Sequence, residues 1–424
     1  MRILFLGHCN YKYIGYLNGI IGKTFPEAVT GVVDLTVLEK KVEKGAMEEF
    51  DFVYVKNKEY VYRSRIKKYF KLANGLCDSL QIKHVLRLIL RLSFNSLVKY
   101  FYKTLFEAKK KLWYSDVIKS FKPDICHIHY IDSNTLRYFD SCKDAKIILS
   151  FWGSDLMSYA NGINEYLVQH RALNKADAIT VQTIELRSVV LYKYGQNLYP
   201  KIHTQSFDPF YGIEHLLEYM INSDNVKHEV RKKYDIKKGQ IAVQVGYSAA
   251  KSQNHIKIIN ELRKLPKELR KKIVLLLPLT YNGSDNYVNE IISYLKTSDI
   301  QFRVFTDYLS DFEMLEIKKV SEIFICLRTS DALNASMIES FYMRNYVITG
   351  AWLPYSVYLR KGLFFSMIDD FNFLAGEVEH AIRSWEKIKI KTKDNREKVL
   401  NLFDKGIIED KWISMYKELI YERS

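Results

Sequence analysis

Between Ser321 and Gly350 the chain reads SEIFICLRTSDALNASMIESFYMRNYVITG, a stretch that narrows the architectures open to it. The apolar run Ile323–Leu327 predicts a strand, and Arg328, Thr329, Ser330 and Asp331 follow as a polar loop. A helix is expected from about Asn334, carrying Glu339, and a second strand, Tyr346–Thr349, ends at Gly350. Strand, loop, helix, strand is the repeating unit of open α/β domains. Such domains bind ligands at the carboxyl ends of their strands, where Arg328–Ser336 would lie.

The same alternation runs through the chain. Arg2–Leu6, Val29–Leu35, Phe50–Val55, Ile125–Ile128, Lys146–Ser150 and Ala176–Val181 read as strands of a first unit. Ala242–Gly246, Ile273–Leu277 and Phe302–Phe305 open a second. A length of 424 residues exceeds what one hydrophobic core usually serves, so two domains are expected. The irregular segment around Pro200 and Pro209 marks the boundary. The expected division is residues 1–205, a linker 206–237, a second domain 238–400 and a terminal helix 401–424, docked through Trp412 and Tyr416. With only 7 Pro and 18 Gly, the chain is neither disordered nor collagen-like.

A net charge of +15 suits an anionic partner. Much of it gathers in 82–113, where Lys83, Arg87, Arg91, Lys99, Lys103 and Lys109 to Lys111 face a single acid, Glu107. Val85, Leu86, Ile89, Leu92, Leu97, Phe101 and Leu105 recur there at largely helical spacing. A basic amphipathic helix of this kind reads as an element for an anionic membrane surface. No recognition motif or zinc signature accompanies it, so nucleic acid is not expected. The five cysteines are scattered without a CxxC pair and read as reduced thiols. The N-terminus does not read as a signal peptide, and no apolar window predicts a spanning helix.

Chemistry is expected where strands end in polar loops. In KPDICHIHY, His127 and His129 alternate onto one face of a strand, and His129 lies at its end. Their spacing fits no standard metal pattern. In SFWGSDLM, Gly153 allows a tight turn, and Ser154 or Asp155 either caps the next helix or faces a cleft. The loop YSAAKSQN sets Lys251 among small residues at the opening of a helix, an arrangement suited to diphosphate. It is not a P-loop, and with one glycine, Gly7, after the first strand there is no dinucleotide fingerprint.

These segments carry a resemblance. VGYSAAKSQNH, LLPLTYNGSDNYVNEI and DALNASMIES resemble the donor half of bacterial nucleotide-sugar glycosyltransferases with the GT-B architecture, of the broad family 4 type. The first two of them are also similar to the bacterial TDP-fucosamine (Fuc4NAc) transferase. KPDICHIHY and ILSFWGSDLM resemble the acceptor half of the same enzymes. The resemblance implies an α/β fold of two Rossmann-like domains facing each other across a cleft. The family's two acids, seven residues apart, fall on Asp331 and Glu339, with aspartate where glutamate is usual. It implies that Asp331 approaches the donor sugar, that Glu339 holds the ribose, and that Lys251, with Arg328, neutralises the leaving diphosphate. Gly246, Tyr247, Ser248, Asn334 and Ser336 complete the donor side, while His129, Asp155 and His8 serve the acceptor side. Asp155 either acts as a base, giving inversion, or orients acceptor hydroxyls in the retention more usual for the family.

The implied enzyme is a hexosyltransferase-type protein that uses a UDP-, GDP- or TDP-linked sugar and no other cofactor or metal. The implied acceptor is an undecaprenyl-diphosphate-linked saccharide of O-antigen or capsule synthesis, reached at the cytoplasmic face of the inner membrane. The chain departs from the family at the arginine that usually precedes Lys251, and at Phe151 or Trp152, where a histidine is common. Two alternatives stand beside this reading: a transferase acting on protein or teichoic acid, and a sugar-nucleotide-binding protein without catalysis.

Overall fold

The structure, a computed structural model, describes residues 1–7, 11–34, 52–54, 115–157 and 162–421. His8 and the basic segment 82–113 lie outside the described residues, as do the expectations placed on them.

The apolar runs form two sheets in which every pairing is parallel. The first contains β1 (Arg2–Gly7), β2 (Val29–Asp34), β3 (Phe52–Tyr54), β4 (Ile125–His129), β5 (Lys146–Ser150), β6 (Ala178–Val181) and β7 (Ile202–Thr204). Its strand order is β3-β2-β1-β4-β5-β6-β7. The second contains β8 (Ile241–Val245), β9 (Ile273–Pro278), β10 (Gln301–Phe305), β11 (Ile323–Cys326), β12 (Tyr346–Gly350) and β13 (Ser366–Ile368), ordered β10-β9-β8-β11-β12-β13. Strands β8, β9, β11 and β12 are buried along their whole length. Helices cover both faces of such a sheet, so its strands are continuous apolar runs rather than alternating ones. The edge strands β7 and β13 escaped the sequence reading because three residues give no measurable period.

In each sheet the order reverses beside its first strand, between β1 and β4 and between β8 and β11. Loops leaving the two strands at such a point diverge to opposite faces and open a crevice. In the second sheet the loops after β8 and β11 are tied together. The Thr329 N–H donates to the Ser252 carbonyl at 2.9 Å, and Asn254 Nδ2 donates to the Leu327 carbonyl at 2.8 Å. In the first sheet a side chain at Gly7 would put its Cβ 2.1 Å from the His129 carbonyl oxygen, so the approach of β1 to β4 requires glycine there.

The last helix, Lys405–Tyr421, returns to the first sheet and packs on the helix Tyr11–Thr24. Trp412 is fully buried there and donates its indole N–H to the Ser206 carbonyl at 2.8 Å. Tyr416 meets His127 Nδ1 at 2.7 Å; His127 Nε2 meets Ser150 Oγ at 2.6 Å, which meets Thr180 Oγ1 at 2.6 Å. This relay satisfies polar groups that burial would otherwise penalise, and it fixes the helix across β4, β5 and β6. Removing the indole should leave a cavity that the packed helix cannot close. Trp412→Ala is expected to lower the unfolding free energy by about 3–5 kcal/mol, read from denaturant titration.

Candidate active site in the interdomain cleft

A cavity of about 470 Å³ lies between the two sheets' carboxyl ends. The first domain contributes Tyr13, Trp152 and Gln182, and Ser206 and Phe207 come from the segment joining the domains. The opposite wall includes Tyr247, Tyr281, Lys318, Asp331, Asn334, Ser336 and Glu339.

Asp331 organises that wall. Its carboxylate accepts from the Ala332 N–H at 2.9 Å, from Asn334 Nδ2 at 2.7 Å and from the Tyr355 hydroxyl at 2.8 Å. Arg328 lies 3.5 Å away by Nε and also bonds the Tyr247 hydroxyl. Burial raises the Asp331 carboxyl above its ordinary range, while Arg328 and the hydrogen bonds oppose that shift. Burial disfavours charge on Arg328, yet Asp331 together with Tyr247, Cys326 and Tyr355 outweighs it and raises the guanidinium. Asn334 couples the loop to the helix Ala335–Tyr342. Its Oδ1 accepts from the Met337 N–H at 2.7 Å as N-cap, while its Nδ2 donates to Asp331 and, at 2.8 Å, to Tyr355.

At the first turn of this helix Ser336 is 8% exposed, and its hydroxyl has no hydrogen-bond partner although it borders the cavity. Buried hydroxyls without partners are uncommon, and helix amides beside Arg328 attract negative charge. The first turn is therefore suited to an anion. Further along, Glu339 pairs with Lys318 at 3.1 Å. Only 1% of the Lys318 side chain is exposed, and both residues border the cavity.

The facing wall is aromatic. Trp152 and Phe207 stack with centroids 4.9 Å apart, and Tyr13 lies 5.4 Å and 5.1 Å from them. The Trp152 indole N–H is buried without a partner. The walls touch where the loop after β5 meets the loop after β11. A Cβ on Gly153, whose φ is +109°, would fall 2.9 Å from Ala332 N and from the Asp331 carbonyl carbon. Beside it the Leu333 N–H donates to Gln182 Oε1 at 3.2 Å. Arg360 and Glu185 add an exposed ion pair across the domains at 3.2 Å.

The structure thus gathers Tyr247, Asp331, Asn334, Ser336 and Glu339 at one cleft, while Arg328 does not border the cavity and is held on Asp331 and the Tyr247 hydroxyl. It sets the other expected residues elsewhere. Gly246 turns the chain at the end of β8, with its N–H on the Ile325 carbonyl at 3.0 Å. Ser248 is buried and accepts from Gln253 Nε2 at 3.2 Å. Lys251 is exposed over the Tyr287 ring and does not border the cavity. His129 shares a face with His127, their centroids 4.0 Å apart, but it is fully buried behind Trp152 with both ring nitrogens unpartnered. Asp155 is also under the wall: its carboxylate accepts from the N–H groups of Ile131, Trp152 and Leu156 at 2.8–3.1 Å. In this position it ties the loop after β4 to the loop after β5, and its carboxyl does not face the cavity. Tyr13, Trp152, Gln182, Lys318 and Tyr355 were not anticipated as site residues. Among the described residues no group of three or more His, Cys, Asp or Glu side chains is arranged to hold a metal ion. No described helix is long and apolar enough to cross a membrane.

Burial lowers the His129 pKa to about 3, so the unfolded chain takes up a proton there that the folded chain refuses. Stability from this group is lost as pH falls from about 6.5 toward 3. Asp155 acts in the opposite sense: burial raises its carboxyl to about 7, so its contribution is lost as pH rises from about 4 to 7. Because the slopes oppose, the informative quantity is a difference. His129→Phe should make Tm less sensitive to acid between about pH 4 and 6.5 than in the wild type. An unchanged slope would contradict a neutral buried imidazole.

The glycosyl transferase 4-like family matches residues 90–183 of the chain. No curated protein matches it in sequence. Among solved structures, a glycosyltransferase from Rickettsia africae is similar with a TM-score of 0.67 at 14% identity, covering 99% of this chain and 98% of that one. HepE of Anabaena, solved in complex with UDP, gives 0.63 at 13% identity, covering 99% of this chain and all of that one. A UDP-GlcNAc 2-epimerase from Neisseria meningitidis, bound to UDP-GlcNAc, gives 0.59 at 11% identity over 99% of this chain and 100% of that one. Two parallel sheets, each reversing order beside its first strand, and whole-length likeness to these structures define the architecture: the chain has the GT-B fold, two Rossmann-like domains facing each other across a cleft.

Proposed function

We propose that the protein is a glycosyltransferase that binds a nucleoside-diphosphate sugar in this cleft and transfers the sugar to an acceptor held against the aromatic wall. The observation that carries the reading is Ser336: a buried, unpartnered hydroxyl in the first turn of a helix, on a residue that borders the interdomain cavity. A diphosphate would satisfy the hydroxyl and the free amides together. In the transfer, the bond between the anomeric carbon and the diphosphate oxygen breaks and a bond to the acceptor oxygen forms. Negative charge then accumulates on the nucleotide, where Arg328 and the helix amides stabilise it. Lys251 joins them only if its exposed loop bends inward. Asp331 meets the donor sugar and positions Arg328; Glu339 holds the ribose. Gly246, Tyr247 and Ser248 shape the loop behind the diphosphate.

On the acceptor side Trp152 and Tyr13 offer apolar ring faces, which suit a saccharide. His129 and Asp155 support this wall from beneath. An acceptor linked to undecaprenyl diphosphate, in O-antigen or capsule synthesis, accords with the basic segment 82–113, which would meet an anionic inner-membrane surface. Retention is favoured over inversion because the Asp155 carboxyl, the expected base, does not border the cavity.

Thermal unfolding against UDP-, GDP- and TDP-linked sugars tests the reading, since a ligand bound only by the folded state raises Tm by mass action. One class should stabilise the chain, and failure of all three would overturn the proposal. With the stabilising nucleotide, Ser336→Ala should bind about 2- to 10-fold more weakly, the loss of one hydrogen bond, measured by calorimetry. Arg328→Ala should slow sugar transfer by roughly 100-fold or more.

A further inference from the structure

The second domain carries a strongly basic face at the end of its sheet opposite the cavity. Residues 387–398 hold six basic side chains, Lys387, Lys389, Lys391, Lys393, Arg396 and Lys398, with two acids, Asp394 and Glu397. The four lysines on the helix Trp385–Thr392 and its C-cap are exposed. Arg383, just before the run, is paired with Glu268 and Glu379. Among the described residues no ion pair involves any of the six. Neighbouring like charges repel one another, so the run works against the compact fold rather than for it.

Packing draws these residues to one place. Lys391 lies over the Phe364 ring at 5.0 Å, and Phe364 stacks on Tyr346, the first residue of β12, with centroids 5.6 Å apart. Asn395 fastens the helix Asn395–Leu402 beside them, accepting from the Phe364 N–H at 2.7 Å and donating to the Phe364 carbonyl at 2.8 Å. Arg396 Nε donates to the Tyr342 carbonyl at 2.9 Å, close to Arg344, which is exposed with a φ of +66°. Burial and the Arg344 charge both push the Arg396 guanidinium below its ordinary value. None of these residues borders the cavity, which lies at the carboxyl ends of the strands.

Beside the lysines stands an apolar side chain without cover. Ile388 turns inward and is 2% exposed, whereas Ile390 is 72% exposed. Lys387, Ile390 and Lys391 lie three and four residues apart and so share one outward face of the helix. We propose that this face of the second domain docks on an anionic lipid bilayer, with Ile390 entering the headgroup layer and the lysines around it pairing with lipid phosphates. Lysine suits that role, because its aliphatic stem lies along apolar surface while its ammonium stays in the polar layer. A nucleic-acid backbone would use the charges but gives an exposed isoleucine nothing to bury against. Each lysine brought to an anionic surface tightens binding by about 5-fold, so the run acts as a unit. Docking at this end of the sheet leaves the cleft free for its ligands. The inference is independent of the nucleotide-sugar reading and of the expectation placed on 82–113.

Flotation of the full chain with phosphatidylcholine vesicles, with and without phosphatidylglycerol, tests this. The wild type should bind only the anionic vesicles. Replacing Lys387, Lys389 and Lys391 together by Glu should weaken that binding by about 10-fold or more, although 82–113 is untouched. Ile390→Ser should weaken it by about 3-fold or more, and Ile390→Trp should strengthen it. All four positions are exposed, so Tm should stay at the wild-type value in each variant. Anionic vesicles bound equally well by the wild type and the triple variant would overturn the inference, as would a wild type that binds no vesicle. Retention on DNA that falls in the triple variant while vesicle binding persists would assign the face to nucleic acid and overturn it too. The Ile390 variants keep every charge, so they decide the matter even where the triple variant folds poorly.

Discussion

The Asp331 carboxylate draws Arg328, Asn334, Tyr355 and the Ala332 amide onto one loop, and the geometry of the cleft follows from that gathering. The loop leaves β11 at the reversal of strand order and must enter the helix Ala335–Tyr342 with its N–H groups aimed at the cavity. Asn334 makes this happen by capping the helix with one end of its amide and bonding Asp331 with the other. A buried carboxylate is costly unless its hydrogen bonds are met, so the loop has one favoured arrangement. The same arrangement leaves the Ser336 hydroxyl without a partner. Order in one place and an unmet polar group beside it are what a preorganised anion site requires.

The first domain contributes by contact rather than by charge. Glycine at 153 lets the loop after β5 rest on the Asp331–Ala332 backbone, and Gln182 accepts from Leu333. The last helix adds a second tie, because Trp412 and Tyr416 are buried against the first sheet although they follow the second in sequence. The two walls therefore meet in a defined relation. The aromatic stack of Trp152 and Phe207 is supported from below by His129 and by the loop that Asp155 fastens.

Much of this was legible in the sequence, for a physical reason. Parallel strands covered on both faces leave unbroken apolar runs such as Ile273–Pro278, and polar residues at their ends stand out. Arg328, Asp331, Asn334 and Ser336 were visible in this way, while Glu339 stood out only through the resemblance, as the second of the family's two acids. Lys318 was not: in a helix reading DFEMLEIKKV it resembles a solvated residue, and only packing against the helix Ala335–Tyr342 brings it to Glu339. His129 and Asp155 stood out for the same reason as the true lining residues, but strand-end polarity does not say whether a side chain faces the cleft or the layer beneath. Tyr13 and Tyr355 carried no signal in the sequence, because a hydroxyl's partner lies in tertiary structure.

The account depends on the first turn of the helix Ala335–Tyr342 being the anion site. A crystal structure of the chain with a bound nucleoside diphosphate measures this directly. The diphosphate should lie within hydrogen-bonding distance of Ser336 Oγ, with the ribose against Glu339. A nucleotide bound outside the cleft, or one whose base occupies the first turn, would contradict it.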